Sequence, residues 1–423
     1  VLKLVIINHT FQKEYFCKRW RMLAEMSDDI DVTLLAPRKF TWGDNKRLTY
    51  GNVDICEGRD EENGNFHIRC ITMKAHKYRT WTSPDMREAI CDIKPDIIYH
   101  IGHHQQESLM QVINIRNKYL PTAKLLTFSM RGPTVMAVER SGVSFFRYLL
   151  RRLQFEYNMK KTKKALKYSD AIFCHYPDGR DCFVQEGYQG PIYMQTQVGV
   201  DMDRFKRDPE ARTRIRDRYN LGDAFVFGSA TRFTSDKGLS DIIAALPEEG
   251  NWKYLMMGSG VPEENAFIER LIKERGFEDR IILTGFIDWY DMPGYWNALD
   301  CAVHVPRTTR TWVETFSLSV VQAMATGLPV IANDSGSVPY EIGPEGIIVR
   351  EGDISAIREK MIWVMQNREQ AKKIGECMKL RAENCFSIRH LTECFYDTLR
   401  DIADGIHDPA KEDMAEYKVV SEK

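Results

Sequence analysis

No apolar run in the sequence approaches the ~18 residues that a membrane-spanning helix needs. Runs such as LVII near the start and DIIY at 96–99 are strand-length. The first run passes straight into polar and charged residues, so no secretory leader is expected. Net charge is also lacking: 59 Lys and Arg against 60 Asp and Glu leave a formal charge of −1. That balance excludes a global attraction to nucleic acid and confines any anion binding to a local site. Ten cysteines are scattered at positions such as Cys17, Cys56, Cys91, Cys301 and Cys394 without the close pairs of a zinc site or redox motif. Reduced thiols in a cytoplasmic protein are therefore expected. There is no low-complexity tract and no periodic repeat, which excludes a solenoid or array.

What is present is an ordinary globular composition, 43% apolar and 28% charged, over 423 residues. A chain of that length exceeds one core, and two domains of roughly 200 residues each follow. Short apolar runs alternate with longer amphipathic stretches: LKLVIIN at 2–8, a helical pattern over 12–26, then VTLLAP at 32–37. HIRCI at 67–71, DIIYHI at 96–101, KLLTFS at 124–129, AIFCH at 171–175 and PIYMQ at 191–195 continue the series. The pattern breaks in a charged segment around Asp201 to Asn220. It restarts with FVFGSAT at 225–231, KYLMMG at 253–258, RIILTG at 280–285, CAVHV at 301–305 and PVIAN at 329–333. This alternation predicts an α/β protein of two Rossmann-like, parallel-sheet domains with a cleft between them. Two or three helices are expected over 353–403. Ligands of such sheets bind beyond the carboxyl ends of the strands, so the loops there are the ones to inspect.

After the strand ending at Thr231, the stretch RFTSDKGLSDIIAAL puts Arg232 and Lys237 on a short loop, with Gly238 opening a helix. Two cations there suit a diphosphate, although a pair of solvated surface charges is the plain alternative. The stretch VETFSLSVVQAMATGLPVIANDSGSVPYEIG at 313–343 reads as a loop with an acid at its mouth, then a small-residue helix and a buried strand. Phe316, Ser317 and Leu318 are expected in the first helical turn, with backbone N–H groups free for phosphate oxygens. Glu314 would accept sugar hydroxyls and Gln322, one turn inside, would reach a ribose edge. The bland reading makes Glu314 a dipole-stabilising charge and Gln322 a surface residue. His100, His103 and His104 end a strand without a carboxylate or cysteine partner, so no metal site is expected. Asp201 and Asp203 spell a D-x-D but sit in the interdomain segment, where turn and capping roles suit them. Gly258 and Gly260 weakly echo a dinucleotide fingerprint, yet Glu263 stands where its third glycine belongs.

The stretch 313–343 resembles the E-x7-E signature of glycosyltransferase family 4, retaining enzymes of the GT-B fold. Other pieces follow in that family's order: VGVDMDRF at 198–205, Arg232 with Lys237, GSG at 258–260, DRIILTGF at 279–286 and FSIRHLTECFYDTL at 386–399. The resemblance implies two domains facing across a cleft. It implies an acceptor-side domain over 1–197, a nucleotide-sugar domain over 198–385, a helix at 386–405 returning to the first domain, and a polar tail at 406–423. It implies Glu314, Arg232 and Lys237 as catalytic residues. Donor binding falls to Arg232, Lys237, Gly258, Gly260, Phe286, Glu314, Phe316, Ser317, Leu318 and Gln322. The donor would be a nucleotide-diphosphate sugar, with no cofactor, no metal and no nucleic acid; the acceptor would be a glycan, a lipid-linked species or a small molecule. Two departures stand out. Gln322 replaces the second glutamate and carries no charge. Ser129, with Met130 and Arg131 after it, stands where the family often has a histidine, so either the role passes to Arg131 or to His103 and His104, or activity is reduced.

From Phe145 to Lys167 the chain carries eight cations, among them Arg147, Arg151, Arg152 and Lys160, against the single acid Glu156. Interleaved aromatic and aliphatic residues make this a basic amphipathic helix. It could rest on anionic lipid at the inner face of a membrane, or simply pack on the first domain. Two other functions remain open: a sugar-nucleotide epimerase of similar shape, and a catalytically silent partner subunit, for which Gln322 and Ser129 are the motives.

Overall fold

The computed structural model describes residues 1–9, 14–40, 56–76, 80–130 and 145–416. They form two compact units, one of residues 1–198 and 388–423 and one of residues 199–387.

In the first unit the strands are β1 (Leu2–Ile7), β2 (Ile30–Pro37), β3 (Lys39–Phe40), β4 (Cys56–Glu57), β5 (Glu61–Asn63) and β6 (Phe66–Ile71). They continue with β7 (Lys74–His76), β8 (Thr80–Thr82), β9 (Ile97–Ile101), β10 (Lys124–Phe128), β11 (Ala171–Cys174) and β12 (Ile192–Met194). The helices between them are α1 (Glu14–Glu25), α2 (Met86–Ile93), α3 (Glu107–Tyr119), α4 (Phe145–Tyr168) and α5 (Pro177–Gln185). One sheet runs in the order β12-β11-β10-β9-β1-β2-β6-β5, parallel except for the last pair. Its side chains explain why the strands read as unbroken apolar runs. Leu4 and Ile6 of β1 enter one core while Val5 and Ile7 enter another, because successive side chains of a strand point to opposite faces and both faces are covered. Trp20 and Leu23 of α1 cover the first face, and Ile90 of α2 with Leu109 and Ile113 of α3 cover the second. The short edge strand β5 and the pair β7–β8 were absent from the sequence reading. The residues of β5 and β7 are mostly polar and largely exposed, and β8 is a three-residue strand around the buried Trp81, so no period marks them.

In the second unit the strands are β13 (Phe225–Ala230), β14 (Trp252–Met257), β15 (Ile281–Gly285), β16 (Cys301–His304), β17 (Val330–Asn333) and β18 (Ile347–Val349). Its helices are α6 (Pro209–Arg218), α7 (Leu239–Ala245), α8 (Pro262–Glu274), α9 (Met292–Ala298), α10 (Leu318–Ala325), α11 (Val338–Ile342), α12 (Ile354–Gln366) and α13 (Arg368–Phe386). The sheet order β15-β14-β13-β16-β17-β18 is parallel throughout and doubly wound. The chain reverses its direction of travel between β13 and β16, where a ligand crevice is expected at the carboxyl ends of the strands. The last helix, α14 (Ile388–Asp404), belongs to the first unit and buries Cys394, Phe395, Leu399 and Ile402 against its sheet. No helix among the described residues is long and apolar enough to cross a membrane.

Candidate functional site

The loops that leave β13 and β16 bring Lys237 and Glu314 together, 77 positions apart in the chain. Lys237 Nζ donates to Glu314 Oε2 at 2.7 Å. The same ammonium lies 4.2 Å from the centre of the Trp312 ring. His304, the last residue of β16, places Nε2 3.4 Å from the same carboxylate oxygen, a close approach without good hydrogen-bond geometry. Burial works against the charge on Glu314, but the His304 imidazole and the Lys237 ammonium outweigh it and hold the pKa down to about 2. Both partners load Oε2, so Oε1 has no partner among the described residues.

Backbone geometry fixes this cluster. Gly238 follows Lys237 with φ 66°, and a Cβ there would stand 1.8 Å from the Val305 carbonyl oxygen, so the turn tolerates only glycine. On the far side, Gly336 has φ 54° and a Cβ on it would meet the Glu314 carbonyl oxygen at 2.0 Å. That carbonyl accepts from the Ser337 N–H at 2.9 Å. The loop entering α11 therefore grips the backbone of the acid.

The expectation of three free N–H groups at Phe316, Ser317 and Leu318 requires correction. Helix α10 starts at Leu318, with Ser317 as its N-cap and Phe316 before it. The Ser317 N–H donates to both oxygens of Glu341 at 3.0 Å each, and Ser337 Oγ donates to Glu341 Oε1 at 2.5 Å. Leu318 and Ser319 keep N–H groups with no partner among the described residues. Glu341 is fully buried, and burial foremost, with the Glu314 charge adding to it, raises its pKa to about 8. Two carboxyl groups thus share one corner with opposite protonation at neutral pH: Glu314 ionised, Glu341 protonated.

Gln322 is also placed otherwise than expected. It is buried, and its Oε1 accepts from the Trp296 indole N–H at 3.2 Å. An indole is only a donor, so the amide oxygen must face it, as a glutamate oxygen could. The replacement keeps that bond and removes one charge. Arg232 is exposed and makes no ion pair among the described residues. Phe286 is 76% exposed after β15. The Gly258 N–H donates to the Gly285 carbonyl at 2.9 Å and the Gly260 N–H to Asn265 Oδ1 at 2.6 Å, so both serve loop packing in this structure. Asp201 Oδ1 accepts from the Asp203 N–H at 3.2 Å, a turn arrangement. No group of three or more metal-binding side chains occurs among the described residues.

In the first unit, His100 and His104 are buried, with Nε2 on Ser108 Oγ at 2.9 Å and on Thr127 Oγ1 at 3.0 Å respectively. His103 is exposed. Ser129 is buried and its N–H donates to the Phe173 carbonyl at 3.1 Å. Met130 is exposed, and Arg131 lies outside the described residues. Sequence reasoning missed His304, Trp312 and Glu341. His304 ends a strand at the sheet's switch point, a position where it could have been found. Glu341 carried no such mark.

Residues 211–381 match the family described as glycosyl transferases group 1. A GDP-mannose-dependent alpha-(1-6)-phosphatidylinositol monomannoside mannosyltransferase of Mycolicibacterium smegmatis is 30% identical over 185 residues, 42% of this chain and 48% of that protein. The lipopolysaccharide core biosynthesis mannosyltransferase LpsB of Rhizobium meliloti is 32% identical over 183 residues, 40% of this chain and 50% of that protein. The chain spans about half the length of the curated relatives it matches. Among solved structures, sucrose-phosphate synthase from Thermosynechococcus elongatus aligns with a TM-score of 0.70 at 17% identity, covering 96% of this chain and 100% of that one. Anabaena HepE in complex with UDP aligns with a TM-score of 0.67 at 15% identity, covering 95% and 100%. The fold is GT-B.

Proposed function

Since residues 211–381 are a group 1 glycosyl transferase domain, we propose that this chain transfers a hexosyl or related sugar from a nucleotide-diphosphate sugar to an acceptor hydroxyl, with retention of configuration and without a metal. The observation that carries the reading is the corner of Lys237, His304 and Glu314 at the switch point of the second sheet, where Glu314 Oε1 stays open. An ionised carboxylate there can accept a sugar hydroxyl. The Lys237 ammonium has three protons and spends one on Glu314, so another can meet a phosphate oxygen. Exposed Arg232 adds a second cation, and the open N–H groups of Leu318 and Ser319 add neutral donors. Together they would stabilise the diphosphate as the sugar bond breaks, the electron pair leaving with its oxygen.

UDP in the HepE structure and GDP-mannose in the name of the mycobacterial relative support a nucleotide-linked donor. Those relatives also make glycan or lipid-linked acceptors the first to try. A cytoplasmic placement at the inner face of a membrane belongs to the same reading. Thermal-shift titration with nucleoside diphosphates, followed by turnover with the matching sugar conjugates, tests it. Stabilisation by one diphosphate and transfer to an acceptor, with the donor's anomeric configuration kept in the product, is the expected result. A nucleotide-sugar isomerised without acceptor would point to an epimerase instead. Binding without turnover would favour a silent partner subunit, the second reading that Gln322 and Ser129 motivate.

A further inference from the structure

The start of α10 is not held by its own side chains. An N-cap serine ordinarily accepts an N–H of the first turn with its hydroxyl, whereas Ser317 Oγ lies 3.0 Å from Ser319 Oγ and makes no such bond. The group that holds this turn comes from α11. Glu341, fully buried, accepts the Ser317 N–H on both carboxyl oxygens at 3.0 Å, from 24 positions away in the chain. It is also joined to Ser337, through the Oγ contact at 2.5 Å and through its own N–H on the Ser337 carbonyl at 3.0 Å. Ser337 in turn donates its N–H to the Glu314 carbonyl at 2.9 Å. One carboxyl thus ties down both ends of the stretch 314–317.

Helix α11 is itself anchored. Arg381 of α13 donates to the carbonyls of Tyr340 at 2.7 Å and of Glu341 at 3.0 Å. Gly343, with φ 74°, leaves room for that guanidinium, which a Cβ there would approach to 2.7 Å. The Glu341 carboxyl therefore sits on an anchored helix rather than on a loop.

We infer that Glu341 is a positioning residue of the donor site: through Ser317 and Ser337 it fixes the Glu314 carboxylate in place relative to the open N–H groups of Leu318 and Ser319. The inference rests on the sugar-transfer reading above, because those are the groups that would meet the donor. A charge on Glu341 would work against them, since a second carboxylate beside Glu314 repels a diphosphate. Burial leaves the proton on this carboxyl at neutral pH and so avoids that repulsion. The groups that bear on it are Glu314 on the loop after β16, His304 at the end of β16, Lys237 on the loop after β13 and the Arg381 guanidinium. Helix α10 and strand β17, which also pack against α11, carry no titratable side chain.

The test compares Glu341→Leu, Glu341→Gln and Ser337→Ala in the full chain, with UDP and GDP as binding probes and UDP-glucose and GDP-mannose as donors. Leucine keeps the volume and removes the acceptors. Glutamine can take the Ser317 N–H on its oxygen and donate to Ser337 Oγ through its nitrogen, as a protonated carboxyl can. The leucine variant should lose about a hundredfold in kcat with donor KM changing far less, the alanine variant should lose less, and glutamine should restore most of the rate. Above about pH 8 the wild-type kcat/KM should fall about tenfold per pH unit as the carboxyl ionises, and the glutamine variant should lack that fall. Hydrogen exchange gives a readout independent of turnover: bound diphosphate should protect the Leu318 and Ser319 amides in the wild type and the glutamine variant but not in the leucine variant. Assays well below each thermal midpoint keep unfolding out of the comparison. Full kcat and amide protection in the leucine variant overturn the inference alone, as does a glutamine variant impaired as much as leucine. Diphosphate binding and amide protection without sugar transfer overturn the transfer reading and leave the positioning role standing. A wild type that binds neither diphosphate overturns both.

Discussion

Apart from the antiparallel edge strand β5 of the first, both sheets are parallel and each has one point where the winding reverses, between β1 and β9 in the first unit and between β13 and β16 in the second. The two points are furnished differently. At the second stand His304, Glu314 and Glu341, all buried, with the half-buried Lys237 paired to the Glu314 carboxylate. At the first stand His9, His100 and His103. Burial, with neighbouring imidazoles as the minor cause, holds His9 down to about 4 and His100 to about 3, so both are neutral at physiological pH. The difference teaches that one fold can build a crevice for an anion or one for neutral hydroxyls, depending on whether a carboxylate and a cation share the switch point. Neutral imidazoles can donate and accept hydrogen bonds without attracting a diphosphate.

Removing the charge at the second point should give the largest effect. Glu314→Gln leaves Lys237 and His304 beside an uncharged amide, and breaking a buried pair in this way costs about 3–5 kcal/mol. Denaturant unfolding should show that loss, with turnover falling at least about a hundredfold, since each 1.36 kcal/mol is a factor of ten. His104→Gln in the first unit, which removes a buried imidazole bonded to Thr127, should cost about 1–3 kcal/mol. If the two variants cost the same, the electrostatic contrast between the units is wrong.

The next largest effect separates two cations of the same loop. Arg232→Ala removes an exposed side chain and should leave the unfolding midpoint unchanged while weakening nucleoside-diphosphate affinity by about 1.5–3 kcal/mol. Lys237→Ala should weaken affinity and also lower stability, because Glu314 would stay buried without its ammonium. Isothermal titration and thermal melting of both variants read the distinction. Unchanged diphosphate affinity in both would remove the phosphate site.

A pH series should move the two units in opposite directions. Glu341 has a folded pKa of about 8 against an unfolded value near 4.5, so the folded state holds the extra proton between those values. Stability from this group is full below 4.5 and is lost as pH rises toward 8, with a slope on the order of 1 kcal/mol per pH unit. His9 and His100 have folded values of about 4 and 3 against 6.5, so their contribution is present above 6.5 and is lost as pH falls. Glu314, held at about 2, weakens the second unit only below about 4.5. From pH 6.5 to 4.5, hydrogen-exchange protection should therefore fall in β9–α3 and rise in α10–α11. Glu341→Gln should flatten the second trend alone.

The smallest expected effect is from chelation. EDTA should leave turnover within about twofold, because cations and backbone N–H groups can carry the diphosphate charge. Activity lost to EDTA and restored by magnesium would make a metal part of the site.

The parallel βα order of both units was legible in the sequence, since strands buried on two faces read as uninterrupted apolar runs. Leu4, Val5, Ile6 and Ile7 show why: no polar position breaks the run when both faces are covered. The loops after β13 and β16 could also be named in advance, because the sheet order alone fixes where its switch point lies. The electrostatic partners could not. His304, Lys237 and Glu341 reach Glu314 and Ser317 across 10 to 77 positions of chain, joined by turns that Gly238 and Gly336 permit. Likewise, a helix over 145–167 was legible, but the sequence did not say that only Thr162, Ala165 and Leu166 of α4 would be buried. Sequence determined the residue types and their periods, which are local. Only the tertiary structure decided which N–H was already spent, which carboxyl kept its proton and which apolar face stayed bare, because each depends on groups brought close by folding.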